Sequence, residues 1–273
     1  MDLDFNLLDA NEQLLEEMAE EIDPYFLRLH DFLFNKLRST EQPLSLFSTT
    51  SFAPKVDSLR EGIFITLRRQ EFYSARILFR ASIEHTVKAQ YLFFETTRNK
   101  NDQVGIDYWA FGSDQETVNY VKSLENAYKI LRIKPNKSAA EILRDIGIIS
   151  EEKSANLIKK KTEQFLYKKM VESVANSLNS SREDSLLSTI LPRYSELSSY
   201  VHGGPASVDG GGLSQESFEE MIEASTFFSL LTKYTSYNLI YKYDKEIEPL
   251  ASITMKYLTK FISNGVNHPQ KDS

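Results

Sequence analysis

The sequence predicts an all-α protein, a helical bundle of about nine helices, from three observations. Apolar residues recur at spacings of three and four along most of the 273 residues, whereas the alternation typical of strands is scarce. Helix-start signals recur as well, among them the serine–glutamate capping box at Ser138 and Glu141. A hydrophobic content of 41%, with 17 Phe and 14 Tyr, supplies the core that a bundle of this size requires.

The N-terminal half is predicted to alternate between amphipathic helices and connections. Two helices precede residue 39, and Pro24 suits the first turn of the second, where its missing N–H costs nothing. Residues 39–56, with two prolines and many Ser and Thr, are expected to form a connection. Helices follow over residues 57–70 and 72–98, and residues 99–115 interrupt the pattern.

The C-terminal half continues as helices. Ser150 is expected to cap one long Lys-rich helix, and Ser217 is expected to begin a capping box. Pro192 marks a kink or the first turn of a further helix that ends at His202. The remaining predicted helices cover residues 117–131, 151–181, 217–243 and 246–261.

The chain is expected to have three parts: an N-terminal helical extension (1–55), a helical domain (56–263) and a flexible tail (264–273). The formal charge of −7 means that nucleic acid would need a local basic patch to bind. The absence of cysteine excludes disulfides, thiolate nucleophiles and Cys-ligated zinc, and favours the cytoplasm. We expect no membrane partner, because no apolar run is long enough to span a bilayer. No metal-binding or Walker motif is present, so we expect no metal and no cofactor.

A narrow polar stripe runs along the otherwise apolar helix 72–98. Arg76, Arg80, Glu84 and Lys88 follow one another at spacings of four and therefore share one side of the helix. One interpretation is a solvated edge in which Arg80 pairs with Glu84. The other is a cleft in which these charges bind a ligand. The same geometry places His85 on another side, among apolar neighbours, as is usual for a packed core histidine.

The second candidate segment is LPRYSELSSYVHGGP, residues 191–205. Tyr194 and Ser198 lie on one helical face, and His202 is at the helix end before two glycines. A histidine at that position is either a C-terminal cap or a general acid or base.

A third segment, residues 153–170, is rich in lysine and contains Lys159, Lys160 and Lys161. Such a run is either the solvent-exposed face of a helix or a surface that binds the phosphates of RNA.

Two resemblances come from these segments. The spacing of Arg80 and His85 resembles the Arg-x4–6-His signature of the HEPN superfamily of all-α domains, which includes many metal-independent ribonucleases of toxin–antitoxin and phage-defence systems. Arg80-x3-Glu84 together with YSELSSYVHGG also resembles a group of uncharacterised bacterial helical proteins that pair an Arg-x3-Glu helix with a Tyr-x2-Leu-Ser-x3-His-Gly segment. The second likeness spans about residues 55–245.

The resemblances imply a HEPN-like core, a homodimer, and a site for RNA or a nucleotide. In a ribonuclease, His202 or His85 would be the general base and Arg80 would stabilise charge on phosphate, oriented by Glu84. Arg76, Tyr194, Ser198 and the three lysines would bind the substrate. The alternative is a non-enzymatic module that binds a protein partner through its N-terminal helices, with a structural Arg–Glu–His network.

Overall fold

The computed structural model describes residues 3–151, 153–177, 193–198 and 212–265. Within these ranges every regular element is helical and no strand occurs, so the all-α prediction is confirmed. None of the described helices is long and apolar enough to cross a membrane. The helices are α1 (Asn6–Ile22), α2 (Phe26–Asp31), α3 (Pro43–Thr50), α4 (Phe52–Arg68), α5 (Phe72–Asn99), α6 (Gln103–Ile106), α7 (Gly112–Ile130), α8 (Ala139–Asp145), α9 (Ala155–Thr162), α10 (Tyr167–Ser177), α11 (193–198), α12 (Gln215–Tyr241) and α13 (Glu248–Gly265).

Helix α5 is the central element of the bundle. Its 28 residues span about 42 Å and contact α3, α4, α6, α10 and α12. The predicted range 72–98 matches the observed helix to within one residue. The helix stops before Lys100, whose φ of 51° lies in the left-handed region that commonly terminates helices. The apolar circumference predicted for α5 is therefore covered on several sides, as expected.

Helices α4, α5 and α12 enclose the first core cluster, which includes Ile63, Phe79 and Phe228. A partly buried ion cluster joins α4 to α12: Asp57 accepts a hydrogen bond from Ser229 (2.7 Å) and pairs with Lys233 (2.9 Å). Burial alone would raise the pKa of Asp57, but Lys233 and Arg60 outweigh it and hold the pKa below its usual value. The carboxylate therefore stays charged and ties the two helices together.

A second core cluster lies between α1, α12 and α13 and includes Leu14, Met18, Leu239 and Tyr257. The short helical turns over residues 23–39 pack against it through Phe32 and Leu37. Another α1 residue, Leu8, joins the first cluster. Helix α1 thus contributes to both clusters.

Helices α7, α8 and α9 form a small peripheral unit with its own cluster of Val118, Val121, Leu143 and Ile158. It joins the bundle through a π-helical turn, Asp107–Phe111. Its buried Asp107 accepts hydrogen bonds from Gln103 (2.8 Å) and Gln164 (3.1 Å) and lies 3.5 Å from Lys161. Buried carboxylates persist only with such partners, so these bonds fix the unit in place.

Two predicted connections contain helices. Residues 39–56 hold α3 and the start of α4, because Asp102 caps α3 from a distant segment: its carboxylate accepts from the N–H groups of Leu44 (3.1 Å) and Ser45 (2.7 Å). Residues 99–115 hold α6, the π-helical turn and the start of α7. Both predictions of irregular structure were wrong, since local sequence does not reveal a cap supplied from elsewhere.

The predicted Lys-rich helix over residues 151–181 is wrong as a single element. It consists of α9 and α10, separated by a 3₁₀ turn over Glu163–Phe165 and an extended Leu166. The N-cap of α9 is Ser154 rather than Ser150, because its hydroxyl accepts from the N–H of Leu157 (3.2 Å). Likewise Ser214, not Ser217, caps α12. The capping box of Ser138 with Glu141 is confirmed.

Candidate functional site

Three elements bring an arginine and two tyrosines together. Arg80 on α5 donates from Nη2 to the hydroxyl of Tyr194 on α11 (3.2 Å), and its guanidinium carbon lies 5.0 Å from the centre of that ring. Tyr167, the first residue of α10, stacks on Tyr194 with ring centres 3.7 Å apart and planes at 17°. We call these three residues the Arg80 cluster. A cation near the tyrosine face is typically stabilised by about 0.5–2 kcal/mol.

The hydrogen-bond donors of the Arg80 cluster are largely unused. A guanidinium has five N–H donors. Among the described residues, Arg80 donates one hydrogen bond, to the hydroxyl of Tyr194. Its Nε is buried without a partner there, as is the hydroxyl of Tyr167. Arg80 also makes no ion pair within the described ranges. A buried polar group without a partner is costly, so the cluster is poised to donate to an added acceptor.

Tyr167 is present as the neutral phenol. Burial raises its pKa, and the neighbouring Tyr194 and Glu84 raise it further, while Arg80 acts in the opposite direction. Burial, together with Glu116 and Glu84, also raises the pKa of Tyr108 to about 12. At neutral pH these hydroxyls are therefore donors, and Tyr167 adds one to the donors of Arg80.

Glu84 does not pair with Arg80. Its carboxylate accepts from Lys88 instead, at 3.0 Å, one turn further along α5. Arg80 lies four residues before Glu84 and Lys88 lies four residues after it. On a helix, a glutamate that precedes its basic partner by four residues is oriented more favourably than one that follows it. The interpretation in which Arg80 pairs with Glu84 is thus wrong, and the charge of Arg80 is left for another partner.

His85 faces another set of residues. Its Nδ1 lies 2.9 Å from the carbonyl oxygen of Ala81, and its ring meets the edge of Phe52 at 5.6 Å. Burial has the largest effect and lowers the pKa of His85, although the hydrogen bond with the Ala81 carbonyl raises it; Lys88 and Lys55 lower the pKa and Glu84 raises it, each to a smaller extent. The imidazole is therefore neutral at pH 7, and donation from Nδ1 leaves Nε2 as an acceptor. No described contact joins His85 to Arg80.

Arg76 lies one turn before Arg80 and lines a shallow pocket with Arg193, Glu196, Glu220 and apolar side chains of α5, α11 and α12. Arg193 binds Glu220 (2.9 Å) and Glu196 (2.9 Å), so its charge is neutralised. Ser198, one turn beyond Tyr194, is partly buried, and no described hydrogen bond joins it to the Arg80 cluster. His202 lies outside the described residues.

Most of the predicted lysine surface is neutralised internally. Lys161 pairs with Asp107, Lys153 with Asp114, Lys169 with Glu163 and Lys168 with Glu172. Lys159 and Lys160 are exposed on α9. The phosphate-binding surface predicted from the run is thereby reduced to two lysines.

Sequence reasoning paired Arg80 with the Tyr194 segment but did not select Tyr167. Tyr167 falls within the single helix predicted over residues 151–181, and the break at Leu166 that precedes α10 has no clear local signal. Among the described residues, no three His, Asp or Glu side chains are grouped as a metal site.

A protein-family model matches residues 50–221, more than half of the chain. The chain therefore belongs to that family, DUF5677, a family of unknown function. No curated protein and no solved structure gives a significant match. The matched range includes Arg80, Tyr167 and Tyr194.

Proposed function

We propose that this member of DUF5677 binds the phosphate of RNA or of a nucleotide at the Arg80 cluster, as a HEPN-like protein. The observation that carries the proposal is the unused donor capacity: a guanidinium without an anion in the described residues, next to a buried phenol hydroxyl without an acceptor. Phosphate oxygens accept from arginine in short, charge-assisted hydrogen bonds. An anionic ligand would satisfy both groups at once.

The local charge supports this ligand despite the acidic chain. Arg76, Arg80 and Lys88 carry three positive charges along one side of α5, and Glu84 carries one negative charge on the same side. At ordinary ionic strength, charges more than about 10 Å away are largely screened, so the local excess outweighs the net charge of −7. Tyr194 is already stacked on Tyr167, so the cluster offers hydrogen bonds to a phosphate rather than an open ring for a base.

The resemblance to the HEPN superfamily implies a further activity beyond phosphate binding, namely metal-independent cleavage of RNA. A general base must be neutral to remove a proton from the 2′-hydroxyl, and the lowered pKa of His85 supplies that state. Arg80 would then stabilise the charge that develops on the phosphate. His202 is the other base proposed from the sequence. The homodimer, and a role in a toxin–antitoxin or phage-defence system, stay predictions from the same resemblance.

The test is binding and cleavage of RNA by wild type and Arg80→Ala, without added metal. We expect Arg80→Ala to weaken the affinity at least about ten-fold, because hydrogen bonds to charged groups contribute about 1.5–3 kcal/mol. Arg38→Ala is the matched control, since Arg38 is exposed and lies outside the Arg80 cluster. A mononucleotide titrated in parallel distinguishes a nucleotide site from an RNA site, and His85→Gln and His202→Gln identify the base in any cleavage.

Stability measurements on the same variants separate a binding residue from a structural one. Arg80→Ala should change the free energy of unfolding by less than about 2 kcal/mol, since it removes one hydrogen bond and one cation–π contact. Breaking a buried ion pair would cost about 3–5 kcal/mol. Equal RNA affinity in wild type and Arg80→Ala would contradict the proposed function, and so would the absence of any binding to RNA and nucleotide.

A second candidate function is partner-protein binding by the N-terminal helical turns. Phe26, Leu27 and Phe34 are each more than half exposed within one short segment, and His30 stacks on Phe34 with ring centres 4.3 Å apart. Contiguous exposed apolar residues often mark protein interfaces. The structural Arg–Glu–His network of that alternative is not formed by Arg80, Glu84 and His85, which have separate partners.

A further inference from the structure

The end of α7 and the turn after it, residues 129–137 (KILRIKPNK), carry apolar and basic side chains together. All nine residues are exposed; four are basic and none is acidic. Ile130, Leu131 and Ile133 are 79%, 65% and 51% exposed, which is unusual for branched apolar residues so close in sequence. We call residues 129–137 the basic tip. Arg132 and Lys134 have no acidic partner among the described residues.

The backbone of the basic tip is fixed although its side chains are exposed. The N–H of Ile133 donates to the carbonyl of Tyr128 (2.9 Å) and that of Arg132 to Lys129 (3.2 Å), a Schellman-type helix end. Arg132 has a φ of 56°, a left-handed conformation that favours glycine. These bonds hold the backbone so that Arg132 presents its cation between the apolar side chains of Leu131 and Ile133.

We infer that the basic tip docks on a membrane surface rich in anionic phospholipids. Its apolar side chains protrude from a helix end instead of lining a groove for a peptide helix. The phosphates of nucleic acid would bind the Lys and Arg side chains, but nucleic acid has no apolar region in which the isoleucine side chains could be buried. An anionic bilayer takes both, since headgroup phosphates attract Lys and Arg while the acyl boundary accepts apolar side chains. Such surface contact needs no membrane-spanning helix. A membrane partner was not expected from the sequence only because no apolar run is long enough to span a bilayer.

The setting of the tip favours this contact. Helix α7 begins beside the π-helical turn that joins the peripheral unit to the bundle, and the tip lies at the other end of this 19-residue helix. The net charge of −7 opposes binding to an anionic surface only weakly, since charges more than about 10 Å from that surface are screened. Arg132 and Lys134, which have no acidic partner among the described residues, would lie within that distance, whereas Lys129 pairs with Glu125 (3.7 Å) and Lys137 with Asp145 (2.6 Å).

Sedimentation of the full chain with lipid vesicles tests the inference. We expect binding to vesicles of phosphatidylcholine with phosphatidylglycerol, weakened by salt, and little binding to phosphatidylcholine alone. Arg132→Gly should lower the partition coefficient about five-fold, the typical effect of one basic residue at such a surface. The same variant should melt at a higher temperature, because glycine adopts the left-handed conformation without strain. Ile130→Ser combined with Leu131→Ser should lower the partition coefficient by at least about ten-fold.

Two matched controls isolate the tip. Lys100→Gly also removes an exposed cation from a left-handed position (φ 51°), so it should stabilise the fold and leave vesicle binding unchanged. Phe26→Ser combined with Leu27→Ser removes comparable exposed apolar surface elsewhere and should also leave binding unchanged. Arg80→Ala should bind vesicles as wild type does, which separates this inference from the proposed function.

Three results would overturn the inference. One is equal or absent binding to the two kinds of vesicle. Another is vesicle binding that Arg132→Gly and the Ile130–Leu131 double variant leave intact. The third is tip-dependent binding of an acidic amphipathic peptide without binding to vesicles, which would assign the tip to a protein partner.

Discussion

Arg80 and His85 lie five residues apart on α5 but have different neighbours. Five helical steps turn a side chain through about 140°, so the two residues point into different sectors. Arg80 contacts Tyr194, whereas His85 contacts Phe52 on α4. A ligand that touches both side chains must therefore extend around α5.

The histidine gives a prediction about stability and pH. Because burial lowers the pKa of native His85, the unfolded chain takes up a proton more readily as the pH falls below the ordinary histidine value of 6.5. The free energy of unfolding of wild type should therefore decrease as the pH falls from 6.5 toward the lowered native pKa. His85→Gln should show a smaller decrease over the same range.

Urea unfolding of both proteins at a series of pH values measures this difference. Comparison with His85→Gln cancels the contributions of all other titrating groups that the variant leaves unchanged. Identical pH dependence in the two proteins would contradict the described burial of His85.

At the scale of elements, α3 and α6 approach so closely that only glycine fits between them. A β-carbon on Gly105 would lie 2.1 Å from the backbone nitrogen of Ser45 and 2.4 Å from the carbonyl carbon of Leu44. Backbone atoms cannot move aside as a flexible side chain can, so the two helices would have to separate.

Gly105→Ala should therefore destabilise the protein by about 1–3 kcal/mol, the range typical of overpacked cores, or by more because the clash is with backbone atoms. Gly112→Ala is the matched control: its φ is −62°, no atom lies within 4 Å of the added β-carbon, and alanine favours helix. We expect it to raise the free energy of unfolding by about 0.4–1 kcal/mol. Thermal or urea unfolding of the two variants measures these changes. An unchanged free energy of unfolding in Gly105→Ala would contradict the packing of α3 on α6.

Elements could be predicted where local sequence determines them. The bounds of α5 follow from continuous apolar periodicity, and the start of α8 follows from the capping box of Ser138. By contrast α3 depends on Asp102, and the buried partner of Gly105 N–H is the hydroxyl of Ser45, 60 residues away. Such long-range contacts override local preference and leave no periodic signal in the sequence.

The site could be predicted only in part for the same reason. Periodicity identified the polar stripe of α5, and the resemblance connected it with the segment of Tyr194. The partners within that stripe depend on orientation: Lys88 rather than Arg80 binds Glu84. Tyr167 reaches the cluster because the chain breaks at Leu166, which tertiary packing determines.

At the scale of the whole molecule, the described chain combines a main bundle with a smaller peripheral unit. The bundle positions the Arg80 cluster through α5, α10 and α11, whereas α7–α9 carry the basic tip. The family match over residues 50–221 includes both features, and α1, which precedes the match, packs into both main core clusters. The two proposals therefore concern separate surfaces of one folded chain and can fail independently.

The central claim is that a phosphate ligand contacts Arg80 itself, and NMR of arginine side chains tests it directly. The Nε–Hε signal of Arg80 can be assigned by its absence in Arg80→Lys. We predict that titration with a short single-stranded RNA, or with the nucleotide that binds, shifts this signal strongly, because the buried Nε has no acceptor among the described residues. The signal of exposed Arg38 should stay in place. A ligand that binds and shifts other signals while that of Arg80 does not move would contradict the account.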